Sequence, residues 1–283
     1  MANSRFGYVR QYELSDALLP GTFLVVRLDG KGFHRFSDKH GFEKPNDRRA
    51  LDLMNAAACR TIQSDTLRQH VLLAFGESDE YSFLLGPKCS LFGRRNSKIL
   101  TTFVSIFTAS YVLLWHQFFP NMPLQADDGG PSFDGRIVQY PGRQEIIDYF
   151  KWRQADTHIN NLYNTTFWAL IQQGGMTVQE AHKTLGGTVS SEKNQILFTR
   201  FGINYAKLDP LFRRGSIILW EPEQGVSAPA EKEKESQDQG EVARQQEKKK
   251  ASKSIVSSSK LVIVHEDMLK DAWWTDIRPY VLQ

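Results

Sequence analysis

Three carboxylates and two glycines make up the part of this chain best suited to chemistry. Asp29 opens "DGKGFHRF" just after the apolar run "TFLVV", where a strand should end. Asp79 and Glu80 fall in "GESDE", between the apolar runs "HVLLAF" and "YSFLL". Carboxylates converging on such a loop suit Mg²⁺, which takes a few carboxylate oxygens and leaves its other positions to water and phosphate. A pair of such ions about 4 Å apart can clamp both attacking and leaving oxygens of a phosphoryl transfer. Gly30 and Gly32 allow close backbone approach, so the amide N–H groups of Lys31, Gly32, Phe33 and His34 are a candidate phosphate cradle. "DG" is also a frequent turn dipeptide, and a surface turn beside a solvated acidic hairpin fits the same residue types. The loop is not a Walker A motif, which needs GxxxxGK followed by Ser or Thr.

A second group lies in "DTHINNLYNTTFW", residues 156–168. Ile159, Leu162, Tyr163, Thr166, Phe167 and Leu170 recur at helical spacing and read as a core stripe. That stripe leaves His158, Asn160, Asn161 and Asn164 unexplained, for asparagine is a poor helix former. Such side chains can hydrogen-bond phosphate, sugar or base edges, or form a polar network inside an interface. Arg94, Arg95 and Lys98, and Lys44, Arg48 and Arg49, are candidate basic patches; each cation alone reads as a solvated surface residue.

Elements must bring these residues together. Val25, Val26 and Leu28 end a short apolar segment that reads as a buried strand. Leu51, Met54, Ala58 and Ile62 recur at steps of three and four behind Asn46 or Asp47 as N-cap. Residues 70–75 and 81–85 form a hairpin, 97–119 a long, largely buried helix, and 136–140 a fourth strand closed by Pro141. The order βαββαβ is that of ferredoxin-like α+β folds. In that topology the first strand ends at the edge where the central hairpin turns, which sets Asp29 beside Asp79 and Glu80. The expected division is a catalytic part over 1–140 and a helical part with a short strand over 141–223. A disordered Lys/Glu-rich insertion over 224–259 and a C-terminal strand and tail over 260–283 complete it.

Composition narrows the class. The chain has 283 residues, 41% hydrophobic and 24% charged, with a net charge of +3, so any RNA-binding surface must be a local patch. Cys59 and Cys89 are far apart, without CxxC spacing, and read as reduced thiols. The N-terminus lacks the apolar core of a signal peptide, and no uninterrupted apolar run reaches the roughly 20 residues that cross a bilayer. A cytoplasmic or nuclear protein without a membrane partner is expected.

Taken in order, "RLDGKGFHRFSDKHGFEKPND", "ESDEYSFLL", "FDGRIVQYP", "WRQADTHINNLYNTTFWALIQQ" and "KNQILF" closely resemble the tRNA-His guanylyltransferase family over residues 5 to about 222. The resemblance implies a palm-like catalytic domain that extends RNA in the 3′ to 5′ direction, adding a guanylate to the 5′ end of histidine tRNA. ATP would adenylylate the 5′-monophosphate, the GTP 3′-hydroxyl would attack it with loss of AMP, and pyrophosphate would then be removed. It also implies two Mg²⁺ ions on Asp29, the Gly30 carbonyl and Asp79, with Glu80 as a supporting catalytic carboxylate. Lys31, Gly32, Phe33, His34 and Ser78, helped by Arg95 and Lys98, would cradle the triphosphate, and Asp47 would lie near guanine. Arg27, Lys44, His158, Asn161 and Lys193 would serve the tRNA end, in a homotetramer. Glu77 stands where the family carries Gln. Templated 5′ repair, a palm-fold nucleotidyl cyclase and a non-catalytic RNA-binding protein are the other readings.

Overall fold

The computed structural model describes residues 5–125, 129–222 and 259–282. Its centre is one antiparallel sheet in the order β4-β1-β3-β2-β5-β6. These strands are β1 (Phe23–Gly30), β2 (Val71–Glu77), β3 (Glu80–Leu85), β4 (Phe133–Tyr140), β5 (Ser216–Pro222) and β6 (Ser259–Val264). β1 lies between β3 and β4 and is apolar on both sides, because both faces of the sheet are covered. Leu24, Val26 and Leu28 point into one core, Phe23 and Val25 into the other. Each such side chain contributes about 1.5–3 kcal/mol by leaving water.

The first core lies under α2 (Arg48–Gln63) and α3 (Asn96–Phe118). Asp47 caps α2 by accepting the Arg49 amide. α3 packs by a stripe of one residue in four, Ile99, Phe103, Phe107, Tyr111 and Trp115. By length and composition it is apolar enough to cross a membrane; Ser and Thr among its apolar residues hide this from a search for uninterrupted runs. It is also less buried than expected, with Val112 and Leu113 exposed on its outer face.

The second core holds α4 (Arg143–Gln172) and the C-terminal Trp273 and Trp274 against the other face. α5 (Val178–Leu185), α6 (Ser190–Phe201) and α7 (Pro210–Arg214) pack along α4. The stripe on α4 needs one correction: Ile159 is 55% exposed, whereas Asn161 is buried. The polar residue has partners inside, described below, and the apolar one has none. β5 pairs with β2 on one side and β6 on the other, so strands late in the chain complete the sheet begun by β1. The insertion expected at 224–259 lies, apart from its last residue, outside the described residues.

Candidate active site

Backbone pairing assembles the acidic edge. Asp29 on β1 is opposite Glu80 on β3, and the Gly30 amide donates to the Asp79 carbonyl at 3.1 Å. β2 and β3 join through Ser78 and Asp79 alone, with Ser78 in the left-handed region at φ 49°, a conformation unusual for a non-glycine residue and common at functional sites. Gly30 is required by the close approach. A Cβ there would lie 2.4 Å from the Phe33 ring and 2.9 Å from the Asp79 Cβ. Phe33 itself is buried against Tyr111 and Phe133, which anchors the loop that leads into α1 (Phe33–Lys39).

Among the described residues neither Asp29 nor Asp79 has an ion-pair partner, and the charge of Asp29 acts on Asp79. Asp79 takes a hydrogen bond from the Ser78 hydroxyl at 3.0 Å. Burial, reinforced by the charge of Asp29, raises its pKa above the usual carboxylate range. Glu80 is handled differently, for it sits between two arginines: Arg153 Nη1 at 3.3 Å and Arg27 Nε at 3.7 Å. Arg153, buried on α4, also reaches Glu77 at 3.4 Å and Asp156 at 3.1 Å. Burial pushes Glu77 up to about 7, with Glu80 and Asp156 adding to the shift. Glu77 therefore places a carboxyl that titrates near neutrality beside the site.

A cleft of about 560 Å³ opens over this edge, and Asp29, His34, Lys44, Asp47, Ser78 and Asp79 line it. Glu80 and Asn161 also face it. The phosphate cradle is smaller than expected, because the Lys31 amide is spent on the Ser132 carbonyl at 2.9 Å. The first amides of α1, from Phe33 and His34, have no intrahelical partner by construction. The His34 ring is exposed and lies 3.7 Å from Asp38.

Other residues are already occupied. The Asp47 carboxylate accepts from the Glu43 amide and from the amide, Nε and Nη2 of Arg49, which hold its pKa down against burial. It lines the cleft with no acceptor capacity plainly to spare. Asn161 accepts from Asn46 at 2.9 Å and donates to the Tyr205 hydroxyl at 3.1 Å; this is the polar-network reading of that helix. Lys44 pairs with Asp38 at 2.8 Å, and Lys193 donates to the Thr188 carbonyl at 2.7 Å. The His158 ring packs on Tyr205, half-buried. Arg27 is half-buried under Glu80.

Arg95 and Lys98 lie at the other end of the sheet. The neighbouring Arg94 guanidinium binds the Thr22 carbonyl, just before β1 begins, and Arg95 itself pairs with Asp16 and Glu13. Seven residue steps along β1 put about 23 Å between that end and Asp29. Within one chain these two cations do not share the cleft. The residues that sequence reasoning missed are Arg153 and Asn46. Arg153 and Asp156 carry a visible i,i+3 spacing, but nothing local shows that β2 and β3 would supply the remaining acids.

An antiparallel sheet layered by helices, with a paired-carboxylate edge under a nucleotide-sized cleft, defines a phosphoryl-transfer class of protein. Comparison narrows it. Residues 6–141 match the family model described as tRNAHis guanylyltransferase, and 144–270 match the Thg1 C terminal domain. A tRNA(His) guanylyltransferase of Neurospora crassa is 48% identical over 100% of this chain and 96% of its own length. A probable tRNA(His) guanylyltransferase of Mus musculus is 43% identical over 98% of this chain and 87% of its own. The crystal structure of the Saccharomyces cerevisiae tRNA(His) guanylyltransferase superposes with a TM-score of 0.72 at 52% identity, over 75% of this chain and 92% of that one. A bacterial Thg1-like protein in complex with ATP shares the fold at 22% identity, with a TM-score of 0.65 over 97% of this chain and 94% of that one. The chain belongs to the tRNA-His guanylyltransferase family, whose members are nucleotidyltransferases.

Proposed function

We propose that this chain adds a guanylate to the 5′ end of histidine tRNA, and that the β4-β1-β3-β2 part of the sheet is a palm-like, ferredoxin-like catalytic core. The observation that carries the reading is the meeting of Asp29, Gly30 and Asp79 at the mouth of the cleft. An oxygen of the tRNA 5′-monophosphate attacks the α-phosphorus of ATP and pyrophosphate leaves. The GTP 3′-hydroxyl then attacks the activated tRNA phosphorus and AMP leaves. Hydrolysis finally removes pyrophosphate from the new 5′ end.

The donor set suits Mg²⁺. Two carboxylates and a backbone carbonyl are all hard oxygen ligands, and the like charges of Asp29 and Asp79 repel until a cation separates them. No three acidic, histidine or cysteine side chains form a ready cation cage among the described residues, so substrate phosphate would have to supply further oxygens. Asp29, Asp79 and the Gly30 carbonyl would hold the ion, whose chemistry is to neutralise phosphate charge and activate the attacking hydroxyl. Ser78 and the first amides of α1 would hold the triphosphate. Glu80, fixed by Arg153 and Arg27, would keep β3 and its neighbouring Asp79 in place. Lys44 stands at the cleft wall where the tRNA end would enter.

The test is incubation with ATP, labelled GTP, Mg²⁺ and 5′-monophosphorylated histidine-tRNA transcript. Labelled tRNA is expected. Cyclic nucleotide without labelled tRNA, or a gel shift with no chemistry, would overturn the proposal.

A further inference from the structure

Next to Arg153 on α4 stands a buried amide that the steps above leave unused. Gln154 is 2% exposed, and both ends of its amide engage backbone that is distant in sequence. Its Nε2 donates to the Arg214 carbonyl at 2.9 Å and to the Glu266 carbonyl at 2.9 Å. Its Oε1 accepts the Met268 amide at 2.6 Å. One side chain thus ties α4 to the turn between α7 and β5 and to the segment that follows β6. Those two segments are also tied to each other, since the His265 Nδ1–H donates to the Gly215 carbonyl at 2.8 Å. The end of the chain grips the same segment from its far side. Trp274 Nε1 donates to the Met268 carbonyl at 2.9 Å, and Arg278 Nη2 to Glu266 Oε1 at 2.9 Å.

What this clamp holds is the back of the acidic edge. Gly215 lies in the left-handed region at φ 71°, and a Cβ there would be 2.6 Å from the Gly76 carbonyl. The turn therefore rests directly on the backbone of β2, where Ser216 pairs with Gly76. Glu77, Ser78 and Asp79 follow Gly76, and all three line the cleft together with Gly215 and Ser216. Arg153 reaches Glu77 and Glu80 from the same turn of α4, about 100° around the helix from Gln154. Consecutive residues of one helix thus hold the hairpin from two sides. Arg153 holds it by its acids, and Gln154 through the turn packed against it. An apolar side chain could fill the same space, but three buried backbone groups would then lack a partner.

We propose that Gln154 is a positioning residue for guanylyl transfer, and that through it the segment 265–268 belongs to the catalytic unit. The inference rests on the function proposed above and adds to it a residue that touches no substrate. Kinetics of the full chain with 5′-monophosphorylated histidine-tRNA transcript, ATP, GTP and Mg²⁺ test it, at a temperature where circular dichroism shows each variant folded. Gln154→Leu keeps the bulk and removes all three hydrogen bonds. Its kcat should fall by about a hundredfold, the cost of misplacing a reacting group by roughly 1 Å. GTP affinity, measured by titration calorimetry, should hold, because Gly30 and the first amides of α1 lie on backbone that the clamp does not touch. Gln154→Glu supplies a second readout, which decides the matter if Gln154→Leu does not fold. An ionised carboxylate cannot donate to the Arg214 and Glu266 carbonyls, whereas the protonated form can donate to one of them. Burial favours that neutral form, so kcat relative to wild type should rise as pH is lowered from about 8 to about 6. A folded Gln154→Leu with wild-type kcat, equal losses of kcat and GTP affinity, or a Gln154→Glu ratio flat with pH would overturn the positioning role and leave the function standing. Failure of the wild-type chain to label tRNA would overturn the function itself, and this inference with it.

Discussion

The two ends of β1 carry charged residues of opposite kind, and they are used in opposite ways. At the C-terminal end, the charge of Asp29 acts on the buried Asp79, and among the described residues neither carboxylate has an ion-pair partner. At the N-terminal end, the charge of Arg95 is matched. Arg95 pairs with Asp16 and Glu13, while Asp16 also accepts the Ser97 amide at 2.8 Å, capping α3 from a distant part of the chain. Those contacts hold Asp16 down to about 2. An end whose charges are mutually satisfied is a structural joint. An end that keeps two carboxylates close and uncompensated stores the electrostatic demand that a metal–nucleotide complex would meet.

The sharpest way to break the contrast is at Asp29. Asp29→Asn or Asp79→Asn should lower guanylylation by at least about a thousandfold, since electrostatic positioning carries most of such catalysis. Melting in metal-free buffer should be unchanged or slightly higher, and the stabilisation by Mg²⁺ plus GTP should shrink. A variant that keeps most of its activity would remove the acidic edge from the mechanism.

The next largest effect is expected on stability. Asn161→Ala leaves Asn46 and the buried Tyr205 hydroxyl each short of a partner, a loss of about 2 kcal/mol. Denaturant unfolding should show it. If stability held while tRNA turnover fell, Asn161 would belong to the substrate and not to the wall.

Glu77 offers a pH test. Its folded pKa lies near 7, above the ordinary 4.5, so the folded state binds the proton more tightly than the unfolded chain. Its contribution to stability is full below about pH 4.5 and is lost as pH rises through 7. Glu77→Gln should therefore be more stable than wild type at pH 8, by up to about 3 kcal/mol, and gain nothing at pH 4. An equal gain at both pH values would mean that packing, and not charge, is responsible.

The smallest effect belongs to the opposite end. Asp16→Ala should lower the melting temperature by a few degrees at neutral pH. Because the folded pKa of Asp16 is depressed, the deficit should be complete above its unfolded value near 4 and fade as pH falls through about 2. A loss of activity out of proportion to the loss of stability would show that this end serves catalysis as well.

Much of the site was legible because its parts are local. The apolar runs of β1, β2 and β3, the turn between Glu77 and Glu80 and the "DG" step after β1 are properties of a few consecutive residues. The antiparallel pairing of β1 with β3, expected from that order of elements, then sets Asp29 opposite Glu80. What escaped was the occupancy of polar groups. Asp47 as a saturated cap, Asn161 inside a network and Arg153 among three acids each depend on partners several elements away. The same holds for Arg95 and Lys98, whose types suit phosphate but whose place at the far end of β1 is set by the direction in which α3 crosses the sheet.

By itself, then, the sequence determined the strands, the main helices and the acidic edge, because hydrophobic period and turn chemistry act over the distance of a few residues. Only the tertiary structure decided which donors and acceptors remain free, because a polar side chain is spent or available according to what long-range packing brings within about 3 Å of it. Asn161 lines the cleft, yet Asn46 and Tyr205 use both ends of its amide.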